Sequence, residues 1–142
     1  MNTTSTNSRI LYTAKTHTKG GRVNGSSRSS DGRLVVLLSS PASKGSGTNP
    51  EQLFAAGWSA CFYDAMNIVA GKMCLILPAD TTIDAEVNLC NDEGSYTLTA
   101  RLAAYIPRME RGIAQKLIDN AQQICPYTKA IKGNMPVHFC LL

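Results

Sequence analysis

Five cysteines are the residues of this chain best suited to covalent chemistry: Cys61, Cys74, Cys90, Cys125 and Cys140. The thiolate is the nucleophile, so a reactive cysteine needs a cation or a helix N-terminus to hold its pKa down. Cys61 falls in Gly57-Trp58-Ser59-Ala60-Cys61-Phe62, in the middle of a helical pattern. It is either a packed core residue, since free cysteine is among the most buried residue types, or a reactive thiol that borrows an Arg or Lys from elsewhere. Cys125 precedes Pro126, at the expected C-terminal end of a helix, where the partial negative charge disfavours a thiolate. It is a poor attacking group, suited either to resolving another sulfur or to packing as a cap residue. Cys74, Cys90 and Cys140 read as structural. No cysteine pair has CxxC spacing, and His17 and His138 are far from any cysteine pair, which argues against a zinc site or a thioredoxin-type motif.

Two charged residues stand near candidate chain punctuation. Arg22 follows Gly20-Gly21, where the glycines permit a sharp turn; the ordinary reading is a solvated loop arginine. Glu51 lies in Thr48-Asn49-Pro50-Glu51. Thr48 with Glu51 fits a capping box, and Pro50 at the first helical position is an equally good register.

These residues must be positioned by a small set of elements. Ile10 to Thr18 reads as a strand, broken by Gly20-Gly21, and Ser30-Asp31-Gly32 signals a hairpin before the apolar run Leu34 to Leu38. Leu53, Phe54, Gly57, Cys61, Ala65, Ile68 and Val69 recur at steps of three and four, which predicts a helix from about Pro50 to Gly71. Thr81 to Leu89 and Tyr96 to Tyr105 read as paired strands across an Asn91–Gly94 turn. Pro107 is expected to open a second helix that stops before Pro126, because the residue preceding a proline avoids helical geometry. Met135 to Leu142 closes the chain as a strand. The order β-β-α-β-β-α-β gives an α+β class with mainly antiparallel sheet. The first long helix carries few charges and should be buried on most sides; one small sheet would not cover it, which points to a dimer.

Composition agrees with a single globular domain over residues 1–142: the chain is 44% hydrophobic and 17% charged. The net charge of +4 is mild, and Arg22, Arg28 and Arg33 have no aromatic residues alternating with them, so nucleic acid is not an expected partner. Met1 to Ser8 has no apolar core of a signal peptide, and no apolar run reaches the ~20 residues of a membrane helix. The expected location is cytoplasmic, with no membrane partner, and there structural disulfides are rare.

Two segments resemble a known family. Thr48-Asn49-Pro50-Glu51-Gln52-Leu53-Phe54-Ala55-Ala56-Gly57-Trp58-Ser59-Ala60-Cys61-Phe62 closely resembles the signature around the first cysteine of organic hydroperoxide resistance proteins, the Ohr branch of the Ohr/OsmC family. Cys125-Pro126-Tyr127-Thr128-Lys129-Ala130 with Gly133-Asn134 is similar to the segment around their second cysteine. Gly20-Gly21-Arg22 and Ser29-Ser30-Asp31-Gly32 match the N-terminal hairpin. The resemblance implies an OsmC-like intertwined homodimer with two active sites at the interface. It makes Cys61 the peroxidatic cysteine, Cys125 the resolving one, Arg22 the activator of the thiolate and Glu51 the holder of Arg22. The implied activity is reduction of organic hydroperoxides through a Cys61 sulfenic acid and a Cys61–Cys125 disulfide, re-reduced by a protein-borne dihydrolipoyl group, with no metal or other cofactor. The chain departs from the pattern at Trp58 (commonly tyrosine), Thr128-Lys129 (commonly Ser-Asn), Lys132 (commonly Arg), the apolar run from Leu34, and Gln122-Gln123, where a histidine is common. These departures bear on substrate preference and surface contacts. The alternatives are an OsmC-branch peroxidase of broader preference, a non-catalytic dimeric binding domain with packed cysteines, and a metal-binding protein.

Glu51 and Cys61 are ten residues apart on one expected helix, about 15 Å along its axis. Either the Arg22–Glu51 pair serves the cysteine of a partner chain, or Arg22 alone spans the gap.

Overall fold

The computed structural model describes residues 8–142; of the Met1 to Ser8 segment, residues 1–7 lie outside it. The elements are β1 (Thr16–Lys19), α1 (Gly21–Asn24), β2 (Ser26–Ser29), β3 (Val35–Leu37), α2 (Pro50–Lys72), β4 (Thr82–Asp92), β5 (Ser95–Tyr105), α3 (Arg111–Ile124), α4 (Pro126–Ile131) and β6 (Val137–Leu141). They form two compact units divided at residues 49 and 50, and the α+β class stands.

The first unit is an antiparallel sheet in the order β1-β2-β3. The expected strand from Ile10 is confined to Thr16–Lys19. β2 and α1 carried no periodic signal: β2 is Ser-Ser-Arg-Ser, and α1 is a single turn. Gly20 and Gly21 both have positive φ, 73° and 70°, a conformation open to glycine at little cost. The Ser30-Asp31-Gly32 turn joins β2 to β3 as expected. Asp31 Oδ1 accepts from the Ser29 hydroxyl at 2.6 Å and the Arg33 N–H at 3.0 Å, and these donors hold its carboxyl below the usual range.

The second unit contains the core. Its sheet runs β4-β5-β6, with β4 antiparallel and β6 parallel to β5; the parallel pair arises because α3 and α4 intervene and return the chain in the same direction, and the pairing remains mainly antiparallel, as expected. The Asp92↔Ser95 register leaves a two-residue loop. Glu93 and Gly94 both have positive φ, the geometry that matches the twist of a tight hairpin. Ile83, Ala85 and Val87 alternate inward from β4 against a cluster of Trp58, Phe62, Met66, Val69, Leu102, Leu117 and Ile118. Leu89, expected on the same side, is exposed.

α2 is one unbroken helix of 23 residues. Within the chain it buries Trp58, Phe62, Ala65, Met66, Val69 and Ala70, while Ala56, Ala60, Asp64, Asn67 and Gly71 are exposed. α3 starts at Arg111, not at Pro107. Glu110 is the better start because its carboxylate accepts from the N–H groups of Gly112 and Ile113, both at 2.9 Å, satisfying donors that the first turn leaves unpaired. No helix among the described residues is long and apolar enough to cross a membrane.

Candidate functional site

The site begins at a corner. Cys125 is at once the C-cap of α3 and the N-cap of α4, with ψ of 118°. Pro126 causes this: it drives the preceding residue out of the helical region and is then pre-set for the first position of a new helix. The Cys125 N–H still donates to Ala121 O, while its carbonyl accepts from Lys129 N at 2.9 Å. The helix ends where expected, and a short second helix begins at once from Pro126, which no periodic pattern in the sequence signals.

This corner packs on the middle of α2. The Cys125 thiol lies 3.7 Å from Cys61 Sγ and donates toward it. Cys125 is fully buried and Cys61 partly so. Burial pushes the Cys61 thiol above its ordinary pKa; the Tyr127 backbone N–H opposes this, while Cys125 and the Asp64 carboxylate add to the rise. Within the second unit the thiolate is therefore disfavoured on balance, as expected for a mid-helix cysteine.

Trp58, Thr128, Phe54, Tyr127 and Gly57 complete the surroundings. Trp58 Nε1 donates to Thr128 Oγ1 at 3.0 Å in the interior. The Phe54 ring meets Trp58 edge-on at 5.7 Å and Tyr127 at 5.9 Å. A Cβ at Gly57 would stand 2.9 Å from the Tyr127 hydroxyl, so glycine there lets the tyrosine lie across α2. The sequence gives Tyr127 no role and marks Thr128 and Trp58 only as departures from the family pattern that bear on surface contacts and substrate preference. Both are buried and are each other's partner. Sequence holds no signal for this, because positions 58 and 128 meet only in the tertiary fold. Lys129 and Lys132 are exposed.

The other expected site residues take these places. Arg22 lies in α1 of the first unit, just after the left-handed glycine pair. Glu51 is in the first turn of α2, and because α2 is continuous, it stands about 15 Å along the axis from Cys61 of the same chain. Cys74 is exposed at a positive φ of 58° just past α2, so it is not a packed residue. Cys90 is half-buried, 3.8 Å from Thr99 Oγ1, and Cys140 is half-buried in β6. Among the described residues no three His, Cys, Asp or Glu side chains gather as metal ligands.

The sequence model of the OsmC-like protein family matches residues 43–139. The chain is 42% identical over 137 residues to an organic hydroperoxide resistance protein of Xanthomonas axonopodis pv. citri, covering 94% of this chain and 96% of that one. Among solved structures it resembles the organic hydroperoxide resistance protein OhrB of Bacillus subtilis, with TM-score 0.87, 38% identity and coverage of 94% and 100%. It also resembles a putative organic hydroperoxide resistance protein of Vibrio cholerae with captopril bound in one of its active sites, with TM-score 0.88, 33% identity and coverage of 96% and 95%.

Proposed function

Because this chain belongs to the OsmC-like protein family, among relatives named for organic hydroperoxide resistance, we propose that it is a cysteine-based peroxidase that reduces organic hydroperoxides. The observation that carries this reading is the 3.7 Å approach of Cys125 Sγ to Cys61 Sγ. Two thiols 64 residues apart in sequence, one partly accessible and one fully buried behind it, form an attacking and resolving pair.

Cys61 attacks as thiolate. A sulfur–oxygen bond forms to the distal peroxide oxygen, the O–O bond breaks, and the alkoxide leaves and takes up a proton as the alcohol. Cys61 is now a sulfenic acid. Cys125 then attacks the Cys61 sulfur; the S–S bond forms and water leaves. A dihydrolipoyl dithiol, carried on a partner protein, exchanges with this disulfide through a mixed disulfide and departs as the cyclic lipoyl disulfide.

The thiolate must be favoured against burial and Asp64. Arg22 supplies the cation, and Glu51 fixes its guanidinium through a charge-assisted pair. The continuous α2 favours service in trans: the Arg22–Glu51 pair acts on Cys61 of the partner subunit in a homodimer with two sites at the interface. The exposed strip of small residues on α2, Ala56, Ala60 and Gly71 among them, supports close approach of another chain. The catalytic disulfide is transient and compatible with a cytoplasmic location.

The test is peroxide reduction by the purified protein with dihydrolipoamide, run beside thioredoxin and glutathione. Turnover of a bulky organic hydroperoxide with dihydrolipoamide, well above that with hydrogen peroxide, is expected. Equal rates with the two peroxides would place the chain with a peroxidase of broader preference, and no turnover with any reductant would overturn the reading.

A further inference from the structure

α4 has only six residues, far below the length at which a helix holds itself in water. Its place on α2 must come from side-chain contacts. The Tyr127 contacts with Phe54 and Gly57 lie where Tyr127 is itself 40% exposed. The Trp58–Thr128 bond is different: Trp58 is 0% and Thr128 8% exposed. An indole N–H can only donate, and a buried donor left unpaired is penalised, so this bond fixes one geometry.

Its position relative to the sulfurs is specific. Trp58 lies three residues before Cys61 on α2, and Thr128 three residues after Cys125. Residues three apart on a helix are surface neighbours. The pairs 58–128 and 61–125 are thus adjacent rungs between α2 and the α3–α4 corner, about one helical turn apart.

On the reading of Cys61 and Cys125 as the redox pair, we propose that Trp58 and Thr128 are positioning residues: their buried hydrogen bond locks α4 onto α2, and so holds both the Cys125 thiol and the Tyr127 N–H against the Cys61 sulfur. Neither touches the peroxide. They act on two properties of Cys61 at once. The Tyr127 N–H stabilises the thiolate, and the nearness of Cys125 sets how fast the sulfenic acid is resolved. Releasing α4 weakens both.

The experiment uses full-length protein with Cys74, Cys90 and Cys140 replaced by serine. In that background Thr128→Val keeps the side-chain shape and removes the acceptor, Thr128→Ser keeps the hydroxyl, and Trp58→Phe removes the donor. The first readout is the pH profile of Cys61 alkylation in the reduced protein, followed by peptide mass. The second is the rate of Cys61–Cys125 disulfide formation after one equivalent of organic hydroperoxide. Thr128→Val should slow disulfide formation about tenfold and displace the alkylation midpoint from the wild-type value, because the α3–α4 corner carries both the Tyr127 N–H that favours the Cys61 thiolate and the burial and Cys125 thiol that oppose it. Thr128→Ser should restore both. Trp58→Phe should behave like Thr128→Val, and it carries the test if the valine variant does not fold. Wild-type values in both removal variants would overturn the proposal, as would a serine variant no better than valine. The alkylation profile needs no peroxide. A shifted profile in a protein that reduces no peroxide would therefore sustain the positioning role while the peroxidase reading fell.

Discussion

Cys125 Sγ sits 3.7 Å from Cys61 Sγ, within thiol–thiol hydrogen-bonding distance. The two sulfurs come from different helices, and the closeness depends on the sharp corner that Pro126 imposes between α3 and α4.

One equivalent of organic hydroperoxide should convert this contact into an intrachain Cys61–Cys125 disulfide. Peptide mapping of the oxidised protein checks it. Recovery of Cys61 joined only to some other cysteine would mean the resolving residue is misassigned.

Cys61→Ser should abolish peroxide reduction, whereas Cys74→Ser, Cys90→Ser and Cys140→Ser should each retain most of it. Cys74 is the informative control: it is exposed, so it reacts readily with alkylating agents without lying beside a second thiol. Steady-state rates on the four variants separate exposure from catalytic competence.

Arg22→Ala should raise the Cys61 pKa further and slow peroxide attack at least tenfold, about 1.4 kcal/mol of barrier. Glu51→Ala should slow it less. Arg22→Lys should rescue only in part, because lysine lacks the planar fork that grips a carboxylate and a peroxide together. Mixing Arg22→Ala with Cys61→Ser protein distinguishes service in trans from service in cis. In trans, the mixed dimer carries one complete site, and activity rises above that of either variant alone; in cis, the mixture stays no more active than Arg22→Ala.

Stability should fall with pH through the Glu110 cap. Donation by the Gly112 and Ile113 N–H groups lowers the folded-state pKa of Glu110 below its ordinary 4.5. A depressed carboxylate contributes stability that is present above the unfolded pKa and is lost as pH falls through the folded one. Glu110→Ala should therefore lower the Tm near pH 7, and the gap to wild type should narrow near pH 3. A gap of equal size at both pH values would show that the charge of the cap is immaterial.

Elements with strong local codes are legible in the amino-acid sequence. The 3.6-residue recurrence from Leu53 to Val69, opened by Pro50, places α2 within one residue of its observed end. Pro126 marks the end of α3, and alternation marks β4 and β5. The signature segments identified the family. Weak local codes were read less well. β2 is four small or polar residues, and α3 opens on a glutamate cap rather than on the proline upstream, since capping geometry outweighs a residue type that merely tolerates a first turn. The surroundings of the two sulfurs arise from long-range packing. The Trp58–Thr128 bond, Tyr127 lying across Gly57, and the parallel seating of β6 beside β5 all join residues with dozens of positions between them. Helical and strand periodicities report which face of an element is apolar, within a window of a few residues. They carry nothing about which distant side chain will meet that face. Packing and buried hydrogen bonding settle that together, when the whole chain closes.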